Sequence, residues 1–223
     1  MALWKGIVAK SFSPALFEDY VKGLRWPSWK PSFIVLHNTA APSLAQRPGG
    51  LTLTHIRNLE AYYRDDMHWG AGPHLFVDDR QIWVFTPLTT TGVHSPSWNG
   101  VSLGIEMLGD YAKESFSSGR GLLVRQNTVR AMATLNKALG FQAGNFRFHI
   151  EDKATTHDCP GIQARKCRYD MTAEIQVAMG QGSAPATKPV VVPPPPDVPA
   201  TEKPVVAARQ SWGQALWDWV KAH

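Results

Sequence analysis

The chain has 223 residues, 43% apolar and 18% charged, with a formal net charge of +5 and a pI near 9.3. That balance is the balance of a soluble globular chain with room for one ordinary domain plus an appendage, and no apolar run approaches the ~18 residues of a membrane span. Two cysteines are too few for a disulfide scaffold, and Lys and Arg are scattered rather than gathered into the stripe of a nucleic-acid reader.

The excess of positive charge suits a polyanionic partner, such as a cell wall rich in carboxylate and phosphate, or it serves solubility alone. The opening MALWKGIVAKSFSP carries lysines but neither a long apolar core nor a small-residue cleavage site. Synthesis in a cytoplasm without a secretory signal is therefore expected, with any target beyond the membrane reached by a separate route of release. A cytoplasm keeps Cys159 and Cys167 reduced; a bond between them across a short loop is the alternative.

In chain order, Ser13 and Pro14 open a helix expected to run to about Leu24. Phe33 to Leu36 is fully apolar, as in a buried strand, and Leu53 to Arg64 reads as a helix. His74 to Val77 and Ile82 to Phe85 flank the turn Asp78-Asp79-Arg80-Gln81 and predict a hairpin. Val101 to Met107 reads as a strand, and Val124 to Leu139 as a helix that stops at Gly140. Phe146 to His149 reads as a short strand, and Tyr169 to Met179 as a closing helix that stops at Gly180. Mixed helices and strands with a hairpin predict an α/β fold on a mixed sheet.

Three segments follow: an α/β domain over 1–180, a linker over 181–208 and a tail over 209–223. The linker holds eight of the 17 prolines and reads as an extended spacer. In the tail, Trp212, Ala215, Leu216, Trp219 and Val220 fall on one face of a short helix, with Ser211 placed to cap it. So short a helix is marginal alone. It is expected to dock on wall, membrane surface, a partner or its own domain.

The chemistry concentrates in HIEDKATTHDCPG, His149 to Gly161, which holds two histidines and a cysteine before a Pro-Gly turn. Far upstream, FIVLHNTAA places His37 at the end of the apolar strand. A catalytic zinc takes three nitrogen, sulfur or carboxylate ligands and keeps a position open. His37, His149 and Cys159 are candidates for those three. His157 in place of His149 is a second arrangement, since His157 and Cys159 lie two residues apart. Glu106, at the end of the apolar run VSLGIEML, reads as a catalytic carboxylate or as an edge residue facing water.

Several further pieces stand in order: His37-Asn38-Thr39, Gly72-Pro73-His74-Leu75-Phe76-Val77, Gly92-Val93-His94, Asn99 to Glu106, His149, and His157-Asp158-Cys159-Pro160-Gly161. Over roughly residues 30–165 this series resembles the zinc-dependent N-acetylmuramoyl-L-alanine amidases. That family includes phage endolysins, muropeptide amidases and peptidoglycan recognition proteins. The resemblance implies a single mixed β-sheet flanked by helices, with Zn2+ held by His37, His149 and Cys159 and Glu106 as an acidic catalytic residue. Many relatives carry lysine where His157 stands. Some phage members carry a catalytic tyrosine where Pro73 stands; proline has no hydroxyl, so weight shifts to Glu106.

The resemblance implies cleavage of the amide between N-acetylmuramic acid and L-alanine. Glu106 is expected to act as general base, worth ~10²–10⁴ in rate. His157 is expected to stabilise the oxyanion or protonate the leaving nitrogen. Histidine titrates near neutrality where lysine does not, so activity is expected to fall on the alkaline side, unlike in a lysine-bearing relative. His94 and Trp98 are candidate substrate contacts, and Asn38 contacts substrate or orients its ligand neighbour. The expected partner is peptidoglycan rather than nucleic acid, and the expected state a monomer. Spacer and tail favour an endolysin; a cytosolic muropeptide-recycling amidase or a non-catalytic peptidoglycan-binding module are the alternatives. Non-catalytic recognition proteins commonly lack a zinc ligand, whereas Cys159 is present here.

Overall fold

The computed structural model describes residues 3–181; the expected spacer and tryptophan-rich helix lie outside these described residues. Six strands form one sheet: β1 (Lys10–Phe12), β2 (Phe33–Asn38), β3 (Leu75–Val77), β4 (Ile82–Val84), β5 (Ser102–Met107) and β6 (Phe146–Phe148). Their order across the sheet is β1-β4-β3-β5-β2-β6. The β1/β4 and β3/β4 pairs are antiparallel, while β3/β5, β5/β2 and β2/β6 are parallel. The sheet is mixed, as the sequence predicts.

The helices are α1 (Pro14–Lys22), α2 (Leu53–Ala61), α3 (Gly119–Leu139), α4 (Ile162–Arg165) and α5 (Arg168–Ala178). Ser13 caps α1 through its side chain, and Gly140 ends α3 in the left-handed conformation that glycine adopts without a Cβ penalty. α3 packs on β3, β4 and β5 and is flanked by α1 and α5. Ile34, Leu36, Leu103 and Ile105 are fully buried and point to this helical layer. Side chains alternate across a strand, so Phe33, Val35, His37, Ser102, Gly104 and Glu106 face the other side. Both faces are covered, which is why β2 and β5 read as near-continuous apolar runs.

Several boundaries differ from expectation, most by one or two residues. α3 begins at Gly119 instead of Val124 because a turn containing Gly119 and Gly121 precedes its apolar stripe, and glycine hides a helix start. α2 continues as a π-helix over Tyr62–Asp66 instead of ending as regular α-helix. β2 runs through His37 and Asn38, so the polar end of the segment is still strand. β1 and α4 are too short to leave a periodic signal in the sequence.

Register lays out the site. His37 pairs with Glu106 across β2/β5, and Leu36 with Phe148 across β2/β6. One step beyond that last pair, His149 opens a 3-10 turn beside His37. Glu106, His37 and His149 thus form a row across three parallel strands at their C-terminal ends, where open α/β sheets characteristically bind ligands.

Candidate metal centre

His37 and His149 are each only 2% exposed, and Cys159 is 5% exposed. One ligand atom from each lies within 4.8 Å of the others, and this is the single such His/Cys/carboxylate set among the described residues. His37 Nδ1 stands 3.8 Å from Cys159 Sγ and 3.9 Å from Glu106 Oε1. His149 Nδ1 is buried with no hydrogen-bond partner. An orphaned imidazole nitrogen in the interior is costly unless something fills its lone pair or takes its proton.

Cys159 reaches the histidines because its loop turns sharply. Gly161 follows Pro160 with φ +93°, and a Cβ there would run into the backbone of Tyr111 and Ala112. Only glycine combines that conformation with that approach. The returning loop is tied by Ile150 N–H donating to Cys159 O at 2.9 Å. Cys159 and Cys167 are both free thiols, so the alternative disulfide does not form.

Burial keeps the imidazoles neutral, the form that binds metal. It pushes His37 well below its usual range, with the neighbouring His149 adding to the effect. His149 falls to about 4, by burial and then by His157. Burial also pushes the Cys159 thiol well up and the Glu106 carboxyl to about 8. The 3.9 Å approach of His37 and Glu106 is therefore not an ion pair: both partners are neutral unless a cation sits between them. A cation would lower the thiol and carboxyl together. Two imidazole nitrogens and one sulfur are the donor set of a catalytic zinc site, and zinc fits it.

The metal-ligand candidates border a cavity of about 300 Å³ whose walls include Glu106, Asn38, Tyr63, Trp69 and His157. The Glu106 side chain keeps 16% exposure, so it opens into this cavity rather than into bulk water, and the edge-residue alternative does not hold. A second cavity of about 350 Å³ adjoins it, sharing Trp69, His94, His149 and His157 and adding Ser95, Asn99 and Thr155.

His157 lines both cavities. Its Nδ1 is 3.3 Å from Thr155 Oγ1, and Thr155 Oγ1 is 3.1 Å from His149 Nε2. It stands outside the convergent ligand set, which disfavours its exchange with His149. Asn38 lines the first cavity while its amide donates to Gly109 O at 3.1 Å. Trp98 lines neither cavity; it packs edge-on to Phe33 beneath the Arg147 guanidinium. His94 lines both cavities, yet its Nδ1 is 3.1 Å from His37 Nε2. His74 is fully buried, with Nδ1 accepting from Gly104 N–H and Nε2 at 3.0 Å from Thr90 O. It is a packed strand residue.

Sequence reasoning did not find Tyr63, Thr155 or Asp152. Tyr63 stacks on Trp69 at 5.1 Å and 7° and walls the first cavity; its spacing from Leu59 was the one available signal. Asp152 is fully buried, accepting from Ser95 Oγ at 2.6 Å and Ser97 N–H at 3.0 Å. It ties the His94 loop to the loop that carries His149 and Cys159.

The family model described as N-acetylmuramoyl-L-alanine amidase matches residues 27–162. Peptidoglycan-recognition protein SC2 of Drosophila simulans is 26% identical over 91 residues, 40% of this chain and 48% of that protein. The chain thus spans about half the length of the curated relatives it matches. The wild-type Drosophila PGRP-LB structure is similar with a TM-score of 0.50 at 17% identity, covering 65% of this chain and 88% of that one. The PlyG catalytic domain is similar with a TM-score of 0.52 at 18% identity, covering 75% and 94%. These structures share the fold.

Proposed function

This chain belongs to the N-acetylmuramoyl-L-alanine amidase family, and on that premise we propose that it hydrolyses the amide between N-acetylmuramic acid and the L-alanine of the peptidoglycan stem. The carrying observation is the convergence of His37, His149 and Cys159 beside Glu106 in one cavity. In this reading the three residues hold Zn2+. When bound, zinc lowers the pKa of a water and polarises the scissile carbonyl.

The remaining work falls to the protein. Glu106 Oε1 accepts the proton of the attacking water, and its seat in a walled cavity keeps bulk water from competing. His157, held by Thr155, donates to the developing oxyanion or gives its proton to the departing alanine nitrogen. Pro73 has no hydroxyl to share this task. The apolar wall of Leu59, Tyr63, Trp69 and Phe76 shields the reacting amide and raises the strength of every polar contact inside.

We further assign the chain to the phage or prophage endolysins, acting on the wall after release across the membrane, rather than to a recycling enzyme. The spacer and tryptophan-rich tail support this, since an enzyme acting on soluble fragments gains little from an anchor. Lysis of whole walls by the full chain, compared with a version ending near residue 180, tests the assignment: equal lysis removes its support.

The activity itself is tested on purified peptidoglycan. New amino groups without new reducing sugar, abolished by a chelator and restored by zinc, are expected. Tight wall binding with no release of amino groups would instead mean a binding module and overturn the hydrolase reading.

A further inference from the structure

We propose that His94 is a positioning residue for the metal centre: a neutral imidazole whose Nδ1 accepts the Nε2–H of His37 and thereby fixes which nitrogen of His37 faces the metal. The inference rests on the metal site described above and gives His94 a role other than substrate contact.

The argument starts from the two ends of the His37 ring. Nδ1 points at Cys159 Sγ and Glu106, so Nδ1 is the ligating atom and must be bare. The proton then sits on Nε2, which has one partner, His94 Nδ1 at 3.1 Å. A donor here requires His94 Nδ1 to be the acceptor, and the proton of His94 must be on its own Nε2. That nitrogen faces Ser102 O at 3.4 Å, an atom that can only accept. Ser102 Oγ, also at 3.4 Å, already donates to Trp98 O, leaving its lone pairs toward His94. Both ends of His94 thus specify the same tautomer.

The seat of the ring is built as well. His94 lies over Gly104, and a Cβ at residue 104 would come within 2.7 Å of its Cδ2 and Nδ1. Gly104 pairs laterally with Val35 on β2, two residues before His37 on the same face, so the missing side chain leaves room beside the ligand's own strand. The backbone N–H groups of His94 and Ser95 both donate to Asn99 Oδ1, at 2.7 and 2.8 Å. Buried Asp152 anchors the same loop. A ring intended for a flexible substrate would not need its backbone, its base and both its nitrogens fixed.

Partners of metal-bound histidines are usually carboxylates or carbonyls, and losing them typically weakens metal binding 10–100-fold. A neutral imidazole sets the tautomer without adding negative charge beside the thiolate and Glu106.

The test uses the full chain and two readouts that need no catalysis. Imidazole proton–nitrogen correlation spectra of the zinc-loaded wild type are expected to show His94 protonated on Nε2 and bare on Nδ1. Zinc competition against a chromogenic chelator is expected to show His94→Leu binding 10–100-fold more weakly. His94→Asn, whose side-chain oxygen stands near the position of Nδ1, should recover most of that loss, and Gly104→Ala should weaken zinc by dislodging the ring. A proton on Nδ1 of His94 in the wild type overturns the inference whether or not the variants fold, as does a folded His94→Leu with wild-type zinc affinity. A wild type that binds no zinc overturns the metal site itself, so the two failures are distinguishable.

Discussion

The Glu106 carboxyl is held neutral by burial, near a pKa of about 8, in a row with two imidazoles that burial also keeps neutral. In the unfolded chain the same group ionises near the ordinary glutamate value. Folding the metal-free protein at neutral pH therefore requires Glu106 to take up a proton. At this group the folded state binds more protons than the unfolded one, so the Glu106 contribution to stability falls as pH rises from about 4.5 to 8. Glu106→Gln removes that cost, of the order of 3 kcal/mol at pH 7. The metal-free variant should melt above the wild type at pH 8, and the gap should close toward pH 4.5. The same substitution should lower kcat/KM by ~10²–10⁴. A melting gap that does not change with pH would argue that the carboxyl is not buried in solution. His157 supplies a second residue-scale expectation: His157→Lys should extend activity to higher pH, since lysine keeps its proton where histidine has lost it. Identical pH–rate profiles would remove His157 from the proton path.

At the scale of elements, the site is a junction between strands that set a row and loops that close over it. β5, β2 and β6 supply Glu106, His37 and the approach to His149 by register alone. The loops need explicit ties, and Asp152 is the central one. Burial pushes its carboxyl up, but hydrogen bonds from Ser95 and Ser97 outweigh this and bring it down to about 2. Asp152→Ala leaves the buried Ser95 hydroxyl without its acceptor and should cost ~1–3 kcal/mol. It should also loosen the loops of His94 and Cys159 together. Slower unfolding in denaturant, or unchanged hydrogen exchange in residues 94–99, would contradict this. The C-terminal turn is the other tie: Gly161 brings Cys159 back because its φ and its contact with Tyr111 both require the absence of a Cβ.

For the whole molecule, the interior histidines set the response to acid. His74, fully buried and outside the convergent ligand set, is lowered to about 4 by burial. An unfolded histidine takes a proton near 6.5. Between those values the unfolded state binds more protons at this ring, so its contribution to stability falls as pH drops from about 6.5 toward 4, against the opposite contribution of Glu106. His37, His94 and His149 are depressed in the same direction and steepen the fall in the metal-free chain. Denaturant midpoints of the chelated protein across that range measure the slope. A flat profile would mean that these rings are not sequestered from water.

The sequence alone specifies the mixed α/β class, most strands and helices, and His37 and Cys159 among the convergent donors. Those features rest on local patterns: apolar runs, a Pro-Gly turn, and residue types with specific metal chemistry. It left open whether His149 or His157 joined the ligand set, whether Glu106 faced a cleft, and what His94 and Trp98 touch. The fold shows where these side chains lie, because their placement depends on register between strands far apart in the chain. His37 meets Glu106 through a parallel pairing, and His94 meets His37 because Gly104 leaves a space that no periodicity records. Trp98, a plausible sugar platform by residue type, instead packs with Phe33 and Arg147, since aromatic character does not specify which surface it covers.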